Sequence, residues 1–221
     1  MRVPSGRGTR GVTARGCLLA LLALAGLAGA RDANAQISPT QFVRETGRVN
    51  FVTTGGSLRN SSTSTCSVAG SSTMALTGVP TTPGTTIVGA YLYWGGSGTL
   101  DGNVTFNGTP VSAQRTFTAT YSGVWPSLPF FGAMANITSL NIVNVNANNT
   151  FSGLGVNVGS PHCDVSAVVS GWSLIVIYQN PNERVRAVNL YDGLDWFRGR
   201  QIQLTAGGFC APDSNNDGRN P

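Results

Sequence analysis

Residues 171–178 read Gly-Trp-Ser-Leu-Ile-Val-Ile-Tyr. In an extended chain, alternate side chains point to opposite faces. Trp172, Leu174, Val176 and Tyr178 therefore share one face, and Ser173, Ile175 and Ile177 the other. Both faces are apolar, so the segment requires a central position in a sheet, covered on both sides along much of its length. Each large apolar side chain buried there contributes about 1.5–3 kcal/mol, which makes this strand part of the core. Residues 184–191 alternate more. Val185, Ala187, Asn189 and Tyr191 share one face; Arg184, Arg186, Val188 and Leu190 share the other. Asn180-Pro181-Asn182 reads as the turn between the two arms, because Pro181 fixes φ and Asn tolerates turn geometry. The expectation is a hairpin, with Asp192-Gly193 as a further turn.

Beyond residue 35, helical periodicity is almost absent. Strand-like runs rich in β-branched and aromatic residues recur at 48–54, 73–78, 85–94, 103–107, 109–121, 149–158 and 200–206. Clusters of Gly, Pro, Asn and Ser separate them. Within 130–140, Phe131, Met134 and Ile137 stand at three-residue spacing, which predicts one or two short helical turns. Residues 160–171 open with another short turn, capped by Asp164. The polar stretch 56–72 reads as a long surface loop tied down at Cys66. The predicted fold class is all-β: a mostly antiparallel β-sandwich of jelly-roll type.

The first 35 residues read as a cleaved signal peptide. Arg2, Arg7, Arg10 and Arg15 precede an apolar run at 17–30, and Ala33-Asn34-Ala35 is a small-x-small cleavage site. The apolar run is short and rich in Ala and Gly, unlike a transmembrane anchor. Residues 36–208 read as one domain, and 209–221 as an Asp/Asn-rich linker or truncated continuation. The formal charge of +5 belongs mostly to the leader. Residues 36–221 hold nine Arg against eight carboxylates and no Lys, which gives no support to nucleic-acid binding. Sparse charge with abundant Gly, Ser, Thr and Asn is the composition of extracellular β-proteins. Three cysteines remain after the leader: Cys66, Cys163 and Cys210. The favoured pairing is Cys66 with Cys163, leaving Cys210 over.

Residues suited to catalysis are few. His162 is the single histidine, and its neighbour Cys163 points the opposite way in an extended chain, which disfavours a nucleophile–base pair. No G-x-S-x-G elbow occurs. A zinc site would lack C-x-x-C spacing. Two carboxylate pairs, Asp192 with Asp195 and Asp101 with Glu183, are the candidates for a secreted glycoside hydrolase; sequence does not set the separation that chemistry needs. Asp213, Asn215, Asp217 and Gly218 match the opening of a calcium loop, whose twelfth position would fall beyond Pro221. Calcium is the one candidate cofactor. Trp125, Phe130 and Phe131 lie in a Pro-punctuated segment and could stack on a sugar; core packing is the competing reading. Asp192, Asp195 and Trp196, after the second arm, complete the candidate ligand-binding set.

Two segments carry a family likeness. Residues 87–98, IVGAYLYWGGSG, contain the pattern A-x-L-Y-W-x-G, and residues 171–178 contain G-W-S-L-x-V-x-Y followed by a Pro-containing turn and a Tyr-Asp-Gly close. Together they resemble an uncharacterised domain family of secreted bacterial proteins. Its members form the N-terminal part of long cell-surface proteins, often followed by immunoglobulin-like or prealbumin-like repeats. The family domain continues well past the Asp-Gly, so the resemblance implies that this chain is a fragment or shortened form. It brings no catalytic residue with it. The expected function is a non-catalytic extracellular or cell-surface structural or adhesion module, with a glycan or protein as partner. A carbohydrate-binding module, calcium-assisted, is the alternative, and a secreted hydrolase the third reading.

Overall fold

The computed structural model describes residues 36–37, 40–61, 64–123, 126–194 and 203–204. Residues 1–35, read above as a signal peptide, and 209–221, read as a linker, lie outside them. The strands in chain order are β1 (Gln36–Ile37), β2 (Thr40–Gly47), β3 (Val49–Ser57), β4 (Arg59–Ser61), β5 (Ser64–Val68), β6 (Ser71–Ala75), β7 (Thr86–Ser97) and β8 (Asn103–Phe106). Then come β9 (Thr109–Ser112), β10 (Arg115–Tyr121), β11 (Leu128–Asn136), β12 (Asn148–Ser152), β13 (Ser170–Gln179), β14 (Arg186–Asp192) and β15 (Gln203–Leu204). A five-stranded antiparallel sheet runs β10-β11-β7-β13-β3, and a four-stranded antiparallel sheet runs β6-β12-β8-β9. Smaller ladders join β14 to β2, β4 to β5, and β1 to β15. The chain is an all-β sandwich, as its strand-like runs imply.

The main core lies between the two large sheets. Leu92 and Trp94 of β7 and Trp172, Leu174 and Val176 of β13 meet Val104, Phe106 and Phe151 from the four-stranded sheet. Trp172 stacks on Phe151, with centroids 5.6 Å apart and planes 11° from parallel, and meets Phe106 edge-on at 5.7 Å. A second cluster covers the opposite face of the five-stranded sheet. Tyr91, Met134 and Ile177 pack there with Val188 of β14, supported by Phe42 and Val43 of β2. The β2–β14 ribbon is thus a third layer, which explains why β13 is apolar on both faces.

Three expectations change. The arms at 171–179 and 184–192 do not form a hairpin. β13 pairs with β3 and β7, whereas β14 crosses to pair with β2. The turn after β13 is real, closed by Glu183 N donating to Asn180 O at 3.0 Å, but it carries the chain into another layer. The helical spacing of Phe131, Met134 and Ile137 belongs to strand β11 and its end; a single 3-10 turn follows at Thr138–Leu140. Alternation sends Phe131 into the inter-sheet core and Met134 into the outer cluster. The supposed loop at 56–72 is mostly short strand. Its tie is as expected: Cys66 and Cys163 form a disulfide, with Cα atoms 5.2 Å apart.

Candidate binding groove

The outer face of the five-stranded sheet extends past the cover of the β2–β14 ribbon, and there a groove of about 530 Å³ opens. Register explains its shape. Gly132 of β11 lies opposite Gly95 of β7, and Gly95 opposite Gly171 of β13. Gly95 and Gly132 line the groove, so its floor on β7 and β11 carries no side chain there. Phe117 of β10, opposite Gly132, closes one end. Tyr93 and Phe130 stand on the two sides, one pleat away on their own strands, and Val169 and Leu194 form exposed apolar rims. A Cβ at Gly95 would lie 2.6 Å from the Phe131 carbonyl oxygen, so that position demands glycine. At Gly132 a Cβ would meet Phe117 at 3.7 Å and Leu194 at 3.8 Å, ordinary van der Waals contact with no clash.

One corner of the groove is polar. The Asp192 carboxylate accepts from Arg115 Nε at 2.9 Å and Nη2 at 2.7 Å, a two-pronged ion pair. The Asp192 side chain is 4% exposed and that of Arg115 34%. The guanidinium carbon also lies 5.0 Å from the Phe42 ring centroid and 5.8 Å from that of Phe117. Burial pushes the Tyr93 phenol well above its usual range, and the neighbouring Asp192 carboxylate adds to the rise, so Tyr93 stays protonated in neutral solution. Charge in the groove is therefore compensated, and the surface offered to a ligand is mainly ring and backbone.

The candidate residues of the sequence divide accordingly. Phe130 and Asp192 line the groove. Phe131 is 2% exposed and packed in the inter-sheet core, so it cannot be half of an exposed platform with Phe130. Neighbours on one strand face opposite ways, so the two rings cannot share a face. Asp192 is no isolated turn residue: it ends β14 and is bound to Arg115. Trp125, Asp195, Trp196, Asp213, Asn215 and Asp217 lie outside the described residues. Among the described residues there is no group of three or more His, Cys, Asp or Glu placed to hold a metal.

The other catalytic candidates separate. Asp101 accepts from Gly155 N at 2.7 Å and Asn103 N at 3.1 Å, while Glu183 accepts from Tyr178 and pairs with Arg186 at 3.0 Å. They have no partner in common. His162 is fully buried, its Nε2 2.8 Å from Pro129 O and its ring edge-on to Phe130 at 5.3 Å. Its neighbour Cys163 is spent in the disulfide. Sequence reasoning missed Arg115, Phe117 and the glycine row. The available signal was Gly95, Gly132 and Gly171 inside apolar strand runs, where glycine marks a close backbone approach. Comparison with models of protein families, with curated proteins and with solved structures returns no match. The functional reading rests on the groove.

Proposed function

We propose that this protein is a non-catalytic extracellular or cell-surface adhesion module, holding its partner in the outer-face groove. The carrying observation is the groove itself: an apolar trough on a sheet buried on both sides elsewhere, with its carboxylate already paired to Arg115. A rigid sheet keeps such a surface formed before a partner arrives. The disulfide suits an oxidising compartment. The family resemblance of residues 87–98 and 171–193 supports a place at the N-terminal end of a larger secreted bacterial protein. Strand order supports a jelly roll, since β3, β13, β7 and β11 fall on one sheet and β6, β12, β8 and β9 on the other.

A second reading, carbohydrate binding, is favoured by the rings beside the trough. Phe117, Phe130 and Tyr93 border a floor without side chains, where the flat face of a sugar could lie against ring and backbone. Calcium assistance would come from Asp213, Asn215 and Asp217 in a longer parent chain. The test screens residues 36–221 against a glycan array and cell-envelope preparations, with and without chelator, beside Gly132→Leu. That variant puts a side chain into the trough at a position where a Cβ clashes with nothing. Binding lost in Gly132→Leu at unchanged melting temperature supports the groove; binding that persists places adhesion elsewhere and overturns it. Envelope binding without any glycan signal removes the carbohydrate reading alone.

A further inference from the structure

We propose that Asn107 is a deamidation site closed by the fold: native packing holds its side-chain amide away from the reaction, and an opened chain that reacts there is barred from returning. Asn107-Gly108 is the one Asn-Gly step in the sequence. Such a step is prone to deamidation because glycine, without a Cβ, leaves its backbone nitrogen unobstructed. Gly108 N attacks Asn107 Cγ and closes a five-membered imide. The Cγ–Nδ2 bond breaks, and ammonia leaves with the proton from Gly108 N. Water then opens the imide to an aspartate or an isoaspartate at position 107. Water enters, ammonia leaves, and no other reactant takes part.

The fold calls for Asn-Gly at this point. β8 and β9 pair from Asn103 with Ser112 to Phe106 with Thr109, which leaves two residues for the connection. Their φ angles are 48° at Asn107 and 80° at Gly108, both positive, as a two-residue hairpin turn demands. The Asn107 side chain also reaches across to β12 and the segment before it. Its Nδ2 donates to Ile142 O at 2.7 Å and to Asn149 Oδ1 at 2.8 Å, and its Oδ1 accepts from Thr150 N at 2.7 Å. Asn107 N donates to Thr150 O at 2.8 Å. β8 and β12 themselves pair at Phe106 with Phe151 and Thr105 with Ser152. Asn107 thus carries that short ladder one step further and joins the β8–β9 hairpin to β12.

The amide cannot react where it stands. Cγ must swing onto Gly108 N, and the three side-chain hydrogen bonds must break first. Nor can the product resume the place. Main-chain partners fix which way the Asn107 amide points, since Thr150 N can only donate and Ile142 O can only accept. Asn149 is fixed in the same way. It is fully buried; its Nδ2 donates to Asn144 O at 2.9 Å and Ala147 O at 3.1 Å, and its Oδ1 accepts from Asn144 N at 2.9 Å. Its Oδ1 therefore faces position 107 as an acceptor. A carboxylate at 107 sets an oxygen against two acceptors, Ile142 O and Asn149 Oδ1, where a donor stood. An isoaspartate also lengthens the main chain inside a two-residue turn.

The inference does not depend on what the groove binds. Peptide mapping of residues 36–221 held at mildly alkaline pH, with and without urea, reads the reaction at Asn107 by the mass gain of amide hydrolysis. Conversion should be at least about a hundredfold slower in the native protein, because three hydrogen bonds must open together. Asn107→Asp, which carries the product, should unfold at lower urea than the unaltered chain at neutral pH. That deficit should shrink in acid, where the new carboxyl takes up a proton it can donate to one of the two acceptors. Asn107→Ala loses the same bonds without the recovery in acid. Asn149→Ala, which removes one of the three restraints, should speed native conversion; should it not fold, the unaltered chain in and out of urea still decides. Native conversion as fast as in urea, no conversion in urea, or Asn107→Asp as stable as the unaltered chain at neutral pH overturns the proposal.

Discussion

Arg115 and Asp192 stand 77 residues apart in sequence and meet at the corner of the groove. The asymmetry of their burial fixes the direction of a test. Removing Arg115 strands a carboxylate that is 4% exposed, whereas removing Asp192 leaves a cation that can still reach water. Arg115→Met should therefore destabilise the fold by about 3–5 kcal/mol in urea unfolding, and Asp192→Asn by clearly less. Equal costs would mean that the pair is not buried on the carboxylate side. Tyr93 gives a pH signature beside it. Its folded pKa is raised, first by burial and then by Asp192, and burial raises Tyr91 and Tyr178 as well. A raised phenol contributes stability that is fully present below the unfolded value and is lost as pH rises beyond it. The urea midpoint should hold through neutral pH and fall above about pH 10, less steeply in Tyr93→Phe. None of this was legible in the sequence. Asp192 looked like a turn residue because its partner is set by the packing of β14 over β10, which no local pattern encodes.

Strand β13 was legible, and for a physical reason: apolar residues on both faces have no stable home except a doubly covered central strand. Its pairing was not legible. A strand, a Pro turn and a second strand most simply make a hairpin, yet β14 leaves the sheet to join β2, a strand whose mixed sequence gives little sign of itself. What holds the crossing point is Asn180. It is 1% exposed, and its Nδ2 donates to Thr82 Oγ1 at 2.6 Å and Thr85 Oγ1 at 2.7 Å. Its Oδ1 accepts from Asn182 N at 2.7 Å. A true hairpin turn would tolerate Asn180→Ala with little loss. Here the same change removes three hydrogen bonds from a buried junction, and it should cost about 1–3 kcal/mol by chemical denaturation. Asn182→Ala, which leaves that network in place, should be close to neutral; equal effects at both positions would reduce Asn180 to a turn residue.

At the scale of the molecule, the question is what the Cys66–Cys163 bridge holds. It joins β5, in the small β4–β5 ladder, to the segment that carries His162 under β11, closing a sequence span of 97 residues. The two large cores lie elsewhere, on β7 and β13, and neither includes a cysteine. A domain of this length buries enough surface to fold without crosslinks. The double change Cys66→Ser with Cys163→Ser should therefore lower stability by about 2–5 kcal/mol, chiefly by releasing the unfolded chain, while β-sheet circular dichroism persists. The groove, floored by β7 and β11, should keep whatever binding it has. Collapse of the spectrum in the double variant would place the bridge among the determinants of the fold. Retained binding at reduced stability would place it where the packing does, as a clamp on the periphery of an independently formed sandwich.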